Sequence, residues 1–165
     1  MNTLKEDFLM LSKKDTVLQH NERTLEYVDA LDKLTNEEWN SPMSEGKWSV
    51  GEVIAHFKPW DELVMEKRVP YFFSDEPFPD KGFETDERNK EAAKFARENR
   101  QEEVIERFKD HRKRFIDTLN QLDEDDFDKE IQIRDEKITI YDYFEFMIRH
   151  DDHHFKQIDA FLAKN

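Results

Sequence analysis

The 165-residue chain contains no cysteine. Disulfide bonds, thiolate metal sites, a catalytic cysteine and a CxxC redox motif are therefore all excluded. Glycine and proline are also scarce, with 3 and 5 residues, while long stretches consist of good helix formers. These absences favour an all-α protein without covalent cross-links.

Positive charge and long apolar runs are scarce as well. The chain has 26 Lys and Arg against 40 Asp and Glu, a formal net charge of −14. Such a charge repels phosphate backbones and anionic lipid surfaces, so neither nucleic acid nor membrane is an expected partner. No segment reaches the roughly 18 consecutive apolar residues of a membrane span, and the N-terminus lacks the features of a secretory signal. These features predict a cytoplasmic protein.

The aromatic content and the length indicate one compact domain over residues 1–165. Fourteen Phe, four Tyr and three Trp supply more apolar surface than disordered chains of comparable charge carry. A chain of this length can bury a hydrophobic core without cross-links. We therefore expect a single folded unit.

Apolar residues with helical spacing predict four long helices. A shorter polar helix is predicted for residues 84–98. Ser49 and Glu52 form a capping box before the second long helix, and Thr139 can cap the fourth. The long helices are expected, in chain order, at about 3–34, 50–69, 101–122 and 140–163, and the first of these ranges forms either one long helix or two collinear ones.

The connections between these helices are long, which bears on their order. Residues 70–83 are rich in aromatic residues and proline, and predict a loop that packs over another, unspecified part of the protein. Residues 131–133 and 138–140 alternate like two short strands, so a small β-hairpin is expected before the fourth helix. A simple up-down-up-down bundle needs only short turns. We therefore expect another order, with a long crossover between the second and third helices.

Three histidines, His150, His153 and His154, lie close together in the predicted fourth helix. Residues three or four apart share a helix face, so His150 can stand beside His153 or His154. His150 and His154 both interrupt the apolar face, and burying two imidazoles without partners is costly. A shared metal ion would accept a lone pair from each ring. Histidine sites for zinc, nickel or iron usually need at least a third protein ligand.

His56, on the apolar side of the second helix, is a candidate third ligand. A lone histidine in such a position is more often a hydrogen-bonded core residue, so both interpretations stay open. Pro59 is expected to kink the helix just after His56 and to affect where the ring points. His153 points to one flank of the fourth helix, either as an exposed side chain, as a group that contacts a metal ligand, or as a base that faces the substrate.

The remaining polar candidates lie in charged surroundings. We expect His20 and His111 on solvated faces, with a contact patch for an anionic substrate group as the alternative for His111. Asp151 and Asp152 either accept hydrogen bonds from the histidine rings or face water. Gln157 is expected at the edge of the site.

Three segments together resemble the DinB-like superfamily, which includes the YfiT group and the bacillithiol S-transferases. They are LTNEEW at 34–39, KWSVGEVIAHF at 47–57 and HDDHHFKQI at 150–158. Each is weak alone, but a Trp-Ser helix start, a histidine seven residues after the serine and a later HxxxH motif are specific in combination. The resemblance implies an up-down-down-up four-helix bundle. It also implies a divalent metal, zinc or nickel, held by His56, His150 and His154.

The resemblance also implies an activity. Characterised relatives include transferases in which a low-molecular-weight thiol, such as bacillithiol, is activated at the metal and added to an electrophile. Three neutral imidazoles leave a cation its full charge and an open coordination position, as in catalytic sites. A thiol bound there would lose its proton near neutral pH. The proton acceptor is not ranked among His153, Asp61 and Glu52.

Two alternatives to a transferase follow from the same residues. Activation of water at the same ion would make the protein a metal-dependent hydrolase. A non-catalytic stress protein that binds metal or a small molecule is the other, and a homodimer assembled through the aromatic loop is a related possibility. Turnover of a thiol with an electrophile separates these classes.

Overall fold

The computed structural model of the chain describes residues 11–79 and 85–164. In these ranges the chain forms six α-helices and one two-stranded antiparallel sheet. The elements are α1 (Lys13–Ala30), α2 (Asn36–Asn40), α3 (Val50–Lys67), α4 (Thr85–Glu98), α5 (Gln101–Asn120), β1 (Glu130–Ile133), β2 (Glu136–Thr139) and α6 (Ile140–Ala163). The long helices α1, α3, α5 and α6 form a bundle. The predicted all-α class and the small hairpin before the last helix are both confirmed.

Helices α3 and α5 run parallel, as the predicted crossover requires. Phe57 of α3 packs against Phe108 of α5 with ring centroids 5.8 Å apart. One turn later on both helices, the ring of His111 lies 2.7 Å from a carboxylate oxygen of Asp61. Contacts that advance in the same direction on both chains mean that the helices are parallel. Helix α4 lies in the crossover and packs along α3.

Helices α1 and α6 are also parallel to each other. A ring nitrogen of His20 lies 2.9 Å from a carboxylate oxygen of Asp151. Two turns further along both helices, the Tyr27 hydroxyl donates to Asp159 at 2.7 Å. These contacts, too, advance in the same direction.

Helices α3 and α6 run in opposite directions. Trp60 contacts His150 with ring centroids 5.9 Å apart. Phe57, one turn earlier in α3, contacts His154, one turn later in α6, at 5.6 Å. The bundle order is therefore up, down, down, up, as the resemblance implied. This order brings the middle of α3 beside the histidines of α6.

Local capping explains where two of the bundle helices begin. The Ser49 hydroxyl accepts from the backbone N–H of Glu52, whose carboxylate accepts in return from the Ser49 N–H. Thr139 and Asp142 form the same reciprocal pair before α6. Both caps satisfy N–H groups that a helix start otherwise leaves unpaired. Both predicted starts are confirmed.

Helix α1 has its own boundary at Ser12. The backbone of Ser12 is extended, and its hydroxyl accepts from the N–H of Asp15 at 3.0 Å. Residues 3–10, where the predicted first helix starts, lie outside the described residues. At its other end, α1 passes into a short 3₁₀ helix at Leu31–Lys33.

The connection after α3 packs over the bundle, as predicted. It begins with a 3₁₀ turn at Val69–Tyr71. Phe72 is then buried and contacts the rings of Phe78, Tyr143 and Phe144 edge-on. Residues 80–83 of this predicted loop are outside the described ranges.

Large aromatic side chains dominate two hydrophobic clusters inside the bundle. One cluster lies at the level of the histidines and includes Trp39, Phe57, Phe108 and Phe155. The other includes Phe72, Phe115, Leu119, Phe127 and Phe144. Within the described ranges, each helix is too short or too polar to cross a lipid bilayer.

Close packing of α3 on Trp39 makes Gly51 intolerant of a side chain. A Cβ atom at Gly51 would lie 2.5 Å from the Trp39 Nε1 atom, and Trp39 is itself buried. We expect the clash in Gly51→Ala to cost about 1–3 kcal/mol of the free energy of unfolding, as overpacking a core usually does. This loss opposes the gain of about 1 kcal/mol that alanine brings to a helix. Urea unfolding measures the net effect.

A smaller ring at position 39 is the control for the Gly51 prediction. In a Trp39→Phe background, Gly51→Ala should cost less than in the wild type, because the clashing atoms belong to the indole. If Gly51→Ala costs as much in the Trp39→Phe background as in the wild type, the proposed clash is wrong.

Candidate metal centre

His56 of α3 meets His150 and His154 of α6 at one point in the bundle. One potential ligand atom from each residue lies within 4.8 Å of the others. The ring centroids are 4.6 Å apart for His56 and His154, and 4.7 Å apart for His150 and His154. His56 is buried, and the other two are partly buried. The structure thus brings together the three side chains predicted as ligands.

Regular helix on both sides determines where these rings point. His150 and His154 are one turn apart on α6, so they share a face. Pro59 lies inside α3 and does not end it, because the helix continues from Val50 to Lys67. His56 therefore sits within a continuous helix. The kink expected at Pro59 stays a prediction.

The hydrogen bonds of the rings leave nitrogen lone pairs available. The Nδ1 atom of His56 donates to the carbonyl of Val53, which leaves its Nε2 atom as the unprotonated acceptor. The Nδ1 atom of His154 is buried without a hydrogen-bond partner of ordinary geometry among the described residues.

Burial keeps all three rings neutral. It lowers the pKa of His56 to about 3 and the pKa of His154 to about 4, and it also lowers the pKa of His150. Mutual repulsion among the histidines lowers the pKa values of His56 and His154 further. At neutral pH each imidazole therefore keeps the lone pair that a cation needs.

The donor set fits a divalent cation that prefers nitrogen ligands. Two nitrogens at the usual Zn–N distance of about 2.0–2.1 Å lie about 3.4 Å apart in a tetrahedral site. The Nε2 atoms of His150 and His154 are 3.3 Å apart. Within the described ranges no carboxylate joins this group, so a bound ion would keep its positive charge. Such a centre suits catalysis better than a purely structural role.

Aromatic side chains surround the three rings. The ring centroid of Trp48 lies 5.1 Å from that of His56, and Trp60 lies 5.9 Å from His150. Neither tryptophan was predicted from the sequence to be a site residue. Trp60 could have been found, because it lies four residues after His56 and so shares its helix face. Phe146, one turn before His150 on α6, is 69% exposed.

The candidate residues at the edge of the site differ in their exposure to solvent and in whether other side chains already bind them. His153 is exposed, as expected for a flank position, with its ring 5.5 Å from that of His154. Gln157 is also exposed and interacts with the His154 ring. Glu52 caps α3 and pairs with Arg97 at 3.0 Å. Glu52 is therefore less available as a proton acceptor than His153.

The solvated positions predicted for His20 and His111 are wrong. His111 is 1% exposed and bonds to Asp61, while the side chain of His20 is 14% exposed and bonds to Asp151. The charged residues around each histidine in sequence suggested contact with water. Their actual partners lie on other helices, where sequence spacing gives no information.

Arg112 stands at the centre of these contacts. It is 1% exposed, and its guanidinium donates to Asp61 at 2.8 Å and to Asp151 at 2.8 Å. Burial alone would lower the pKa of Arg112, but the two carboxylates outweigh it and the pKa is raised. Burial would likewise raise the pKa of Asp151, yet Arg112 and His20 bring it down to about 2. Arg112 and Asp151 are therefore both charged at neutral pH.

This buried network links all four bundle helices. We call it the Arg112 network, and its members are His20, Asn21, Thr24, Asp61, His111, Arg112 and Asp151. Both of its carboxylates lie near candidate ligands, since Asp61 follows His56 in α3 and Asp151 follows His150 in α6. Asp61 and Asp151 thus accept hydrogen bonds from Arg112 and do not face water or an incoming substrate.

Comparison with known proteins agrees with this architecture. The family profile described as the DinB superfamily matches residues 18–158. Among solved structures, YfiT from Bacillus subtilis superposes with a TM-score of 0.71 at 18% identity, covering 92% of this chain and 86% of that one. It is described as a probable metal-dependent hydrolase with an unusual four-helix bundle topology. At that identity the likeness concerns the fold alone. Among curated proteins, none matches.

Proposed function

Because this chain belongs to the DinB superfamily, we propose that it is a metal-dependent S-transferase that adds a low-molecular-weight thiol to an electrophile. The observation that carries the proposal is the convergence of three neutral histidines, with ligand atoms within 4.8 Å, beside an aromatic surface. Zinc or nickel is the proposed ion, since both accept imidazole. A thiol of the bacillithiol type is the proposed co-substrate.

In this proposal His56, His150 and His154 hold the cation. A divalent cation there would lower the pKa of an approaching thiol or water, and so supply a nucleophile near neutral pH. The bond from His56 to the Val53 carbonyl keeps that ring in one orientation. Trp48 and Trp60 shield one side of the site from water and offer an apolar contact for an organic electrophile.

We propose His153 as the proton acceptor. It is exposed beside His154, so an incoming thiol can reach it. The two other candidates are engaged elsewhere, Glu52 with Arg97 and Asp61 with Arg112. His153 has the freedom to take a proton and release it to solvent.

A metal-dependent hydrolase is the second candidate. It is supported by the description of YfiT, whose fold this chain shares. The same three histidines would serve, with water in place of the thiol. A homodimer and a cytoplasmic location stay predictions from the sequence.

A turnover experiment tests the proposed function. Metal-free protein is reloaded with zinc or nickel and incubated with bacillithiol and an aryl halide, and the products are identified by mass spectrometry. We expect a thioether conjugate whose formation requires both metal and protein, and whose rate returns to the uncatalysed value after chelation.

The same assay distinguishes the transferase from a hydrolase and from a non-catalytic binding protein. Cleavage of ester or amide substrates without consumption of thiol would favour the hydrolase. If metal stays bound but a broad panel of thiols, electrophiles and esters shows no turnover, a binding protein is the better description and the transferase proposal fails. Lys94→Ala, on the exposed face of α4, is the control for activity lost while the metal is removed and reloaded.

A further inference from the structure

We propose that Arg112 is a positioning residue that holds α3 and α6 so that His56 meets His150 and His154. This inference rests on the metal site in the proposed function. It assigns to a buried arginine on a third helix a role in building a centre to which it contributes no ligand.

The geometry of the guanidinium supports this role. On one side its Nε and Nη2 atoms donate to the two carboxylate oxygens of Asp61, at 2.8 and 3.2 Å. On another side its Nη1 atom donates to Asp151 at 2.8 Å. A planar fork bonded in this way fixes direction as well as distance. Asp61 and Asp151 belong to the two helices that carry the histidines, so Arg112 fixes one helix relative to the other.

Neighbouring groups prevent the guanidinium from turning. Its Nη1 atom also contacts the side-chain oxygen of Asn21 at 3.2 Å and the hydroxyl of Thr24 at 3.4 Å, both on α1. The rings of Phe108 and Phe57 lie against it, with centroids 5.0 and 5.6 Å from the guanidinium carbon. These contacts leave it one orientation.

The outer sides of the two carboxylates are held as well. His111 bonds to Asp61 at 2.7 Å, and His20 bonds to Asp151 at 2.9 Å. Each carboxylate is thus bonded from two sides. A satisfied buried network of this kind specifies one arrangement of the helices more sharply than apolar packing does.

The histidines need such support because they hold one another weakly. The direct polar contact among their rings is the 3.3 Å approach of the His150 and His154 Nε2 atoms, both on α6. Otherwise His56 meets them through ring packing, which tolerates small displacements. A metal site requires its ligands to be held within about 0.5 Å. The directional bonds of Arg112 supply that precision between α3 and α6.

The charge of Arg112 and its positioning role have opposite effects on metal affinity, so an experiment can distinguish them. The positive charge of Arg112 repels a cation at the histidines, so removing the charge alone should tighten metal binding. Removing the positioning should weaken it. The sign of the change in affinity therefore separates the two effects.

The test compares Arg112→Lys and Arg112→Met with the wild type. The zinc dissociation constant is measured by competition with a chromophoric chelator, and cobalt(II) absorption reports ligand geometry. Both are recorded at a temperature at which circular dichroism shows each variant to be folded. We expect zinc affinity to fall by about 10–100-fold in both variants, as for other residues that orient metal ligands. The cobalt spectrum should change with it.

Leu119→Ala is the matched control for lost stability. Leu119 is fully buried in the cluster around Phe144, away from the histidines. Its replacement should lower the melting temperature and leave the zinc affinity and the cobalt spectrum unchanged. A purely structural role for Arg112 would give the same result as this control.

Each outcome has a defined meaning. Wild-type affinity in both Arg112 variants, or tighter binding in Arg112→Met, would overturn the positioning role. If Arg112→Met does not fold, Arg112→Lys decides, because lysine keeps the charge and loses the fork. If the wild type binds no zinc, the proposed metal site and the positioning role of Arg112 are both wrong. A wild type that binds zinc but transfers no thiol would remove the proposed activity and leave this inference standing.

Discussion

Replacing His56 with alanine is expected to weaken zinc binding about a thousandfold. If three ligands share roughly 12 kcal/mol equally, the loss of one removes about 4 kcal/mol, which is about a thousandfold in affinity. His56 is the one member of the group that comes from α3, and so no neighbouring histidine on that helix can replace it. Competition titration with a chelator measures the change.

His153→Ala is the matched control for the ligand prediction. It removes an imidazole from the exposed flank of α6, next to the site. Zinc affinity should stay close to the wild-type value. Unchanged affinity in His56→Ala would mean that the three histidines are not the metal site. A large loss in His153→Ala would identify His153 as a ligand.

Replacing Arg112 with methionine is expected to lower the free energy of unfolding of the metal-free protein by about 3–5 kcal/mol. The substitution leaves Asp61 and Asp151 buried and without their cation. An unpaired charge in the interior is costly because the low-polarity surroundings cannot replace water. Urea unfolding at neutral pH, in the presence of a chelator, isolates this effect from metal binding.

Neutralising the two carboxylates should recover most of that loss. With Asp61→Asn and Asp151→Asn added to Arg112→Met, no charge stays unpaired in the centre of the bundle. Replacing a whole buried ionic group is often nearly neutral for stability, whereas removing one member is not. If Arg112→Met costs less than about 1 kcal/mol, or if the added substitutions bring no recovery, the buried network does not stabilise the fold in this way.

The helices could be predicted closely where their ends are coded locally. The last helix, which begins at the Thr139–Asp142 capping box, was expected at 140–163 and is observed at Ile140–Ala163. Capping depends on residues three apart, so one stretch of sequence contains all of the information. The boundary at Ser12 also depends on a local cap, but the apolar spacing continues past that residue and conceals it.

The histidine group could be predicted because two of its members are one turn apart. His150 and His154 share a face by helix geometry alone, and the resemblance to a family supplied His56. The partners of His20 and His111 lie 131 and 50 residues away, and their spacing to the partners follows no short period. The sequence did contain one indication of a buried charged network. Arg112 lies on the apolar face of α5, between Phe108 and Phe115, where an unpaired charge would be unstable.

The up-down-down-up order has a kinetic consequence. The α3 and α6 helices that carry the histidines are separated in sequence by α4, α5 and the hairpin, so their contacts are non-local. Contacts of this kind close large loops, and the entropy lost in closing them slows folding. A metal ion that needs both helices would thus bind the native state alone, adding about 2.7 kcal/mol of stability at a free concentration 100 times the dissociation constant. An ion that binds the native state and not the folding transition state would act by slowing unfolding.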